Sequence, residues 1–426
     1  DSLENIDFQL RKQLIEVKRE KDLKKEDSLK KELQNFKDTV SKNFPIIANY
    51  TQNVFNIDDF QSQLDNRQLV LKYLFFYDQL AVISITKNNI KIELKPWTQS
   101  EKNLVNEHLV YLKNPNSNYT LNSELTNLLI PDMVNNYNAI IIIPDAPIYN
   151  LPFETLTYNS DFLIKEKTIH YSSHLRFIHG LNLEKKRKDT ETTIFAPSYP
   201  KEKVDYVTRN YPVFLEGAQK EAERLAVLFP TKSFIGDDAT KSNFIENKSE
   251  GNILHLAMHA TIDETDPSLS HFNFANNEKL FLEEVYALKI PTDLAVLSAC
   301  NTGIGKQDNA LSMATLQRAF NYAGAKTTVA SLWEVPDETT SQIMIAFYQY
   351  LKKGKTKSKA LQQAKLDYLN QVENPRFKQP YYWAGFVLYG ADAPVAQSFL
   401  DNKTIFLLVF GGITLIFGIW LFFRKK

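Results

Sequence analysis

The chain has 426 residues, more than one hydrophobic core usually organises, so two lobes or a domain with appendages are expected. Lys and Arg together number 50, as do Asp and Glu, so no global field favours nucleic acid or an acidic polymer as partner. At 43% hydrophobic and 12% aromatic residues the chain can bury a substantial core, and a first residue of Asp rather than Met marks it as a fragment or a mature chain.

Residues 1–44 are dense in Lys, Glu and Leu, and up to about Lys42 contain neither Pro nor Gly. That composition predicts a solvated helix supported by i,i+4 pairs such as Glu20 with Lys24 and Glu26 with Lys30. No period of 34 residues recurs within the chain, so a repeat array, if it exists, lies outside this sequence.

Residues 45–190 alternate strand-like and helical stretches. Runs over 70–77, 80–86 and 90–94 predict a strand meander, and Ala139-Ile-Ile-Ile-Ile143 a fully buried strand ending at Pro144-Asp145. The basic stretch Glu184-Lys-Lys-Arg-Lys188 reads as an interlobe loop rather than a nuclear signal.

Over 191–396 the alternation becomes regular. Strands are expected at 194–196, 253–258, 294–299 and 327–332, with helices at 219–228, 311–323 and 338–351. The fold class that follows is α/β, with a mainly parallel central sheet covered by helices on both faces.

Residues 404–423 carry no charge and are about as long as a bilayer core requires, which predicts one transmembrane helix. The basic tail at 424–426 favours keeping that end in the cytoplasm and the folded domain on the outer side; a cytoplasmic tail anchor is the competing topology.

Chemistry concentrates at two apolar runs, Ile253-Leu-His-Leu-Ala-Met-His259-Ala260 and Leu294-Ala-Val-Leu-Ser-Ala-Cys300. In an open α/β sheet the ligand crevice lies beyond the carboxyl ends of the strands, so His259 and Cys300 are expected at one rim. A thiol attacks as thiolate, and an imidazole can take its proton and later protonate a leaving amine. Cys300 is the only cysteine, with no partner in the chain for a disulfide or a Cys-x-x-Cys motif, and the Asn301-Thr302-Gly303 stretch after it suits an open loop. His255 and His259 have zinc-protease spacing, but Leu256 stands where that motif needs Glu and the stretch reads as strand, so metal ligation is not expected. His255 reads as a packing or supporting residue.

These runs, with Arg318-Ala-Phe-x-x-Ala-Gly324, Ser331-Leu-Trp333-Glu-Val-Pro-Asp337, Ala360-Leu-x-x-Ala364, Tyr382-Trp383-Ala-Gly-Phe386, Leu151-Pro152-Phe153-Glu154 and Leu215-x-Gly-Ala-x-x-Glu221-Ala, resemble the CHAT family of caspase-like, tetratricopeptide-associated cysteine proteases. Separase is a more distant relative. The resemblance spans roughly residues 50–393 and implies a caspase-like three-layer α/β/α fold of two lobes, an inactive one at 45–190 and an active one at 191–396. It makes His259 the general base and Cys300 the nucleophile, with the backbone amides of Ala260 and Cys300 as oxyanion donors. It also implies a protein or peptide substrate, an upstream tetratricopeptide module for which 1–44 would be the last capping helix, and no cofactor. Asp337 matches the separase position that supplies a carboxylate for a basic P1 side chain, although capping of the helix after it is an equally good use of Asp. Asp145, Asp308 and Glu334 are weaker candidates for that role.

The function these features imply is a membrane-anchored cysteine endopeptidase preferring a basic P1 residue. A silent signalling scaffold that binds protein partners is the alternative from another class, and an acyl or peptidyl transferase using the same dyad is a third.

Overall fold

The computed structural model describes residues 10, 17, 23–43, 55–117, 119–178, 190–199, 216–262, 269–298, 312–333 and 335–395. The charged N-terminal stretch is helical over Leu23–Asn43 and holds the expected pair, Lys30 to Glu26 at 2.8 Å.

Sixteen strands are formed among the described residues: β1 Gln68–Phe76, β2 Gln79–Ile85, β3 Ile90–Pro96, β4 Ala139–Ile143, β5 Thr157–Tyr158, β6 Asp161–Phe162, β7 Thr168–Tyr171, β8 Thr192–Ala196, β9 Thr231–Ile235, β10 Ile253–Leu256, β11 Ala260–Thr261, β12 His271–Asn273, β13 Lys279–Phe281, β14 Leu294–Leu297, β15 Thr327–Ser331 and β16 Phe386–Gly390. Eleven of them make one continuous sheet in the order β3-β2-β1-β4-β7-β16-β15-β14-β10-β8-β9. Within this sheet antiparallel pairing is confined to β1–β2, β2–β3 and β15–β16, and its other pairs are parallel.

The run Ala139–Ile143 and the strand Leu294–Leu297 are apolar at every position because parallel strands at the centre of such a sheet are covered on both faces. The two faces can be read off alternate residues. Ile253 and Ala257 belong to the core beneath helices Glu216–Ala226, Asp337–Lys352 and Lys357–Gln371, while Leu254, Leu256 and Met258 pack with Phe244, Val285 and Phe320 of the helices on the other side. The expected three-layer α/β/α arrangement is present.

Topology adds what no local pattern carries. The last strand in the chain, β16, inserts mid-sheet, parallel to β7 and antiparallel to β15. The parallel strands of the two halves therefore point in opposite directions, and their carboxyl ends lie on opposite rims of one sheet. On the β7–β16 side of this reversal Lys365, from the helix Lys357–Gln371, reaches Glu154 at 3.2 Å, both side chains buried, and Glu154 also accepts a short hydrogen bond from the Tyr171 hydroxyl.

The membrane reading is corrected: among the described residues no helix is long and apolar enough to cross a membrane. The expected span at 404–423, the basic tail at 424–426 and the basic stretch at 184–188 lie outside the described residues. A single-pass membrane protein is not supported, and the outward-facing localisation falls with it.

Candidate active site

The expected strand over 253–258 stops at Leu256, and its last residues turn out of the sheet to start a small hairpin of β11, β12 and β13. His259 sits at this bend. Its ring is buried and lies against Tyr199, with centroids 4.8 Å apart. Tyr199 follows β8, the neighbouring parallel strand, so the same rim delivers both side chains.

Three hydrogen bonds close a ring around the His259 peptide. The His259 N–H donates to the Tyr199 hydroxyl at 3.0 Å, that hydroxyl donates to the Asn273 carbonyl at 2.7 Å, and the Asn273 N–H donates to the His259 carbonyl at 2.9 Å. The last bond also fixes the ladder type. Because it joins the residues flanking the Ala260–Phe272 partners, that pair is of the non-hydrogen-bonded kind, and the Ala260 amide is left out of the ladder with β12. An amide so directed can serve a developing oxyanion.

His255 lies on the strand proper, facing the helical layer. Its Nδ1 is 2.9 Å from the Tyr348 hydroxyl and its Nε2 is 3.2 Å from Glu221 Oε1, all three side chains buried. The supporting role read from the sequence thus has a concrete form: His255 joins the helices Glu216–Ala226 and Asp337–Lys352. Burial raises the Tyr348 pKa well above its ordinary value, and Glu221 adds to this.

Asp337 is the first residue of its helix. Pro336 occupies the cap position, and no side chain caps the end by hydrogen bonding. The capping alternative is therefore not the use made of Asp337, whose side chain is exposed at the rim. Partial desolvation raises its pKa above the usual aspartate value; His259 works against that rise and Glu221 adds to it, so the carboxylate and imidazole share one electrostatic environment. The turn leading to it is anchored by Trp333, whose indole donates to the Tyr381 carbonyl at 2.8 Å. Gly385 makes the approach possible, since a Cβ there would lie 2.6 Å from Val335 Cγ2.

Asp145 is not brought to this site. It lies at the carboxyl end of β4, on the opposite rim, where it accepts the backbone N–H groups of Ala146 and Phe75. Cys300, Asp308 and Glu334 lie outside the described residues. The paired Cα partners Leu256 and Leu297 stand three positions before His259 and Cys300 respectively, so the two reactive residues have the same sequence offset from one rung of the sheet. Tyr199 escaped the sequence reading. Its only local signal is position, three residues beyond a buried strand end.

A family model for the CHAT domain matches residues 120–391. Tetratricopeptide repeat protein 28 of Homo sapiens is 26% identical over a region covering 42% of this chain and 8% of that protein; its Mus musculus counterpart is 24% identical, covering 42% and 9%. The match thus spans less than a tenth of these curated relatives. Among solved structures, the Saccharomyces cerevisiae separase–securin complex aligns over 83% of this chain and 33% of that chain, at 10% identity and a TM-score of 0.45. The complex of Porphyromonas gingivalis RgpB pro- and mature domains aligns over 70% and 78%, at 9% identity and a TM-score of 0.39.

Proposed function

The chain belongs to the CHAT-domain family, and on that premise we propose that it is a cysteine endopeptidase in which His259 and Cys300 form the catalytic dyad. The observation that carries this reading is the bend at His259, where the closed hydrogen-bond ring holds the imidazole at the rim and leaves the adjacent Ala260 amide outside the ladder. In the reaction, His259 takes the Cys300 proton and the sulfur attacks the scissile carbonyl carbon. The amides of Ala260 and Cys300 receive the negative oxygen, and His259 returns the proton to the leaving amine. Water activated by His259 then hydrolyses the thioester, releasing the acid and the free enzyme.

Asp337 supplies the carboxylate for a basic P1 side chain. A repeat module upstream of the chain, as the name of the curated relatives suggests, restrains the peptidase and presents its protein substrate.

Purified protein should cleave a peptide with Arg or Lys at P1, and Cys300→Ala should abolish the cleavage. Activity surviving that substitution removes the dyad from the mechanism. Alkylation by iodoacetamide across pH separates this reading from a silent scaffold: a thiol titrating near the unperturbed value of about 8.5 favours the scaffold.

A further inference from the structure

On the side of His259 away from β14, the rim opens into a cavity of about 230 Å³ lined by Ser198, Tyr199, Asp237, Asn276 and Asn277. Its walls come from the chain after β8, the turn after β9 and the turn between β12 and β13. Tyr199 is the shared partition, its ring against the His259 imidazole and its residue lining the cavity. At this volume, below the roughly 300–1,000 Å³ of pockets for whole small molecules, it suits a single side chain.

The lining is selective in charge. Among the described residues it contains one carboxylate, two side-chain amides and the Ser198 hydroxyl beside the Tyr199 ring, with no Lys or Arg. Asn276 and Asn277 hold φ of 58° and 59°, a left-handed conformation that is unfavourable for most residues other than glycine and tolerated best by Asn and Asp. Gly236, at φ +66°, keeps the opposite wall back, because a Cβ there would lie 3.2 Å from Ser198 Oγ.

Strand order assigns a direction. From β15 through β14, β10 and β8 to β9, the rim presents Asp337, the strand that precedes Cys300, then His259, then the cavity. A general acid stands on the leaving-group side of a scissile bond, so residues after that bond lie beyond His259. Strands are spaced about 4.8 Å apart and an extended peptide advances about 3.3 Å per residue, which brings the second or third residue after the bond to the β8–β9 ends.

We infer that the cavity of Ser198, Tyr199, Asp237, Asn276 and Asn277 is a specificity subsite for a cationic or amide side chain two or three residues after the scissile bond. The inference rests on the peptidase reading above. Its test is a set of peptides with Arg at P1 that differ only at the second and third positions after the bond, carrying Lys, Gln, Ala or Glu. Values of kcat/KM are compared for wild type, Asp237→Lys and Asn276→Asp, with Cys300→Ala as blank. Wild type should favour Lys over Glu by about tenfold at one of the two positions, the gain expected of a charge-assisted contact. Asp237→Lys should reverse that order, and Asn276→Asp, which keeps a residue tolerant of the left-handed turn, should widen it. Cleavage with equal kcat/KM across the set, or a Lys preference unchanged in both variants, overturns the subsite while leaving the peptidase intact. No cleavage of any peptide by wild type overturns both.

Discussion

The Tyr199 hydroxyl accepts the backbone N–H of His259 at 3.0 Å, although the two residues are 60 positions apart in the chain. The same hydroxyl donates to Asn273, so one oxygen ties β8, the His259 bend and the β12 strand together.

Tyr199→Phe should therefore act through His259. It leaves a buried N–H without its acceptor and the Asn273 carbonyl without its donor, each costing about 1–3 kcal/mol. The expected result is a roughly tenfold or larger fall in kcat with little change in KM. A purely structural role would lower the unfolding midpoint and leave the kcat of the folded enzyme unmoved.

Asp337→Asn should cut kcat/KM for Arg-P1 peptides by about tenfold or more and leave peptides with an uncharged P1 residue nearly unaffected. The pKa of Asp337 is raised by desolvation, so its charge is lost at a higher pH on acidification than that of an ordinary aspartate. The ratio of Arg-P1 to neutral-P1 kcat/KM should accordingly decline as pH falls through that raised value, and the decline should be absent in Asp337→Asn. An unchanged ratio at every pH would assign P1 recognition elsewhere.

In the core over β7 and β16, Lys365→Met strands the buried Glu154 carboxylate. Breaking such a pair costs about 3–5 kcal/mol, whereas replacing both charges costs much less. Denaturant unfolding should show Lys365→Met as the less stable variant and Glu154→Gln/Lys365→Met as partly recovered. Equal losses would mean that the pair holds no buried charge.

Acid stability should report His108, which is buried with Nε2 3.1 Å from Thr155 Oγ1 and whose pKa desolvation lowers to about 4. Its unfolded value is near 6.5, so between those values the unfolded chain binds the extra proton. The stability held above pH 6.5 is therefore lost as pH falls toward 4, by about 3 kcal/mol at 1.36 kcal/mol per unit. In His108→Gln the unfolding free energy should fall less steeply over that interval. Parallel pH profiles for variant and wild type would place the acid sensitivity in other groups, of which buried His170, with its pKa also lowered by desolvation, is the next to test.

Strand identity was legible because it is local. An unbroken apolar run such as Ala139–Ile143 can be buried only where both faces are covered, and helices such as Asp337–Lys352 show their buried stripe through Ile343, Phe347, Tyr348 and Leu351. The α/β class, the helical layers and the place of His259 beyond a strand end all follow from patterns a few residues long. Partnership between distant segments does not. Insertion of β16 between β7 and β15 reverses the direction of one half of the sheet relative to the other, and that alone sends Asp145 to the rim opposite His259. The Tyr199 clamp, the Glu221–His255–Tyr348 chain and the Glu154–Lys365 pair likewise join residues separated by tens to hundreds of positions. Periodicity records which face a side chain must bury, whereas the partner it meets there depends on how the whole sheet is ordered.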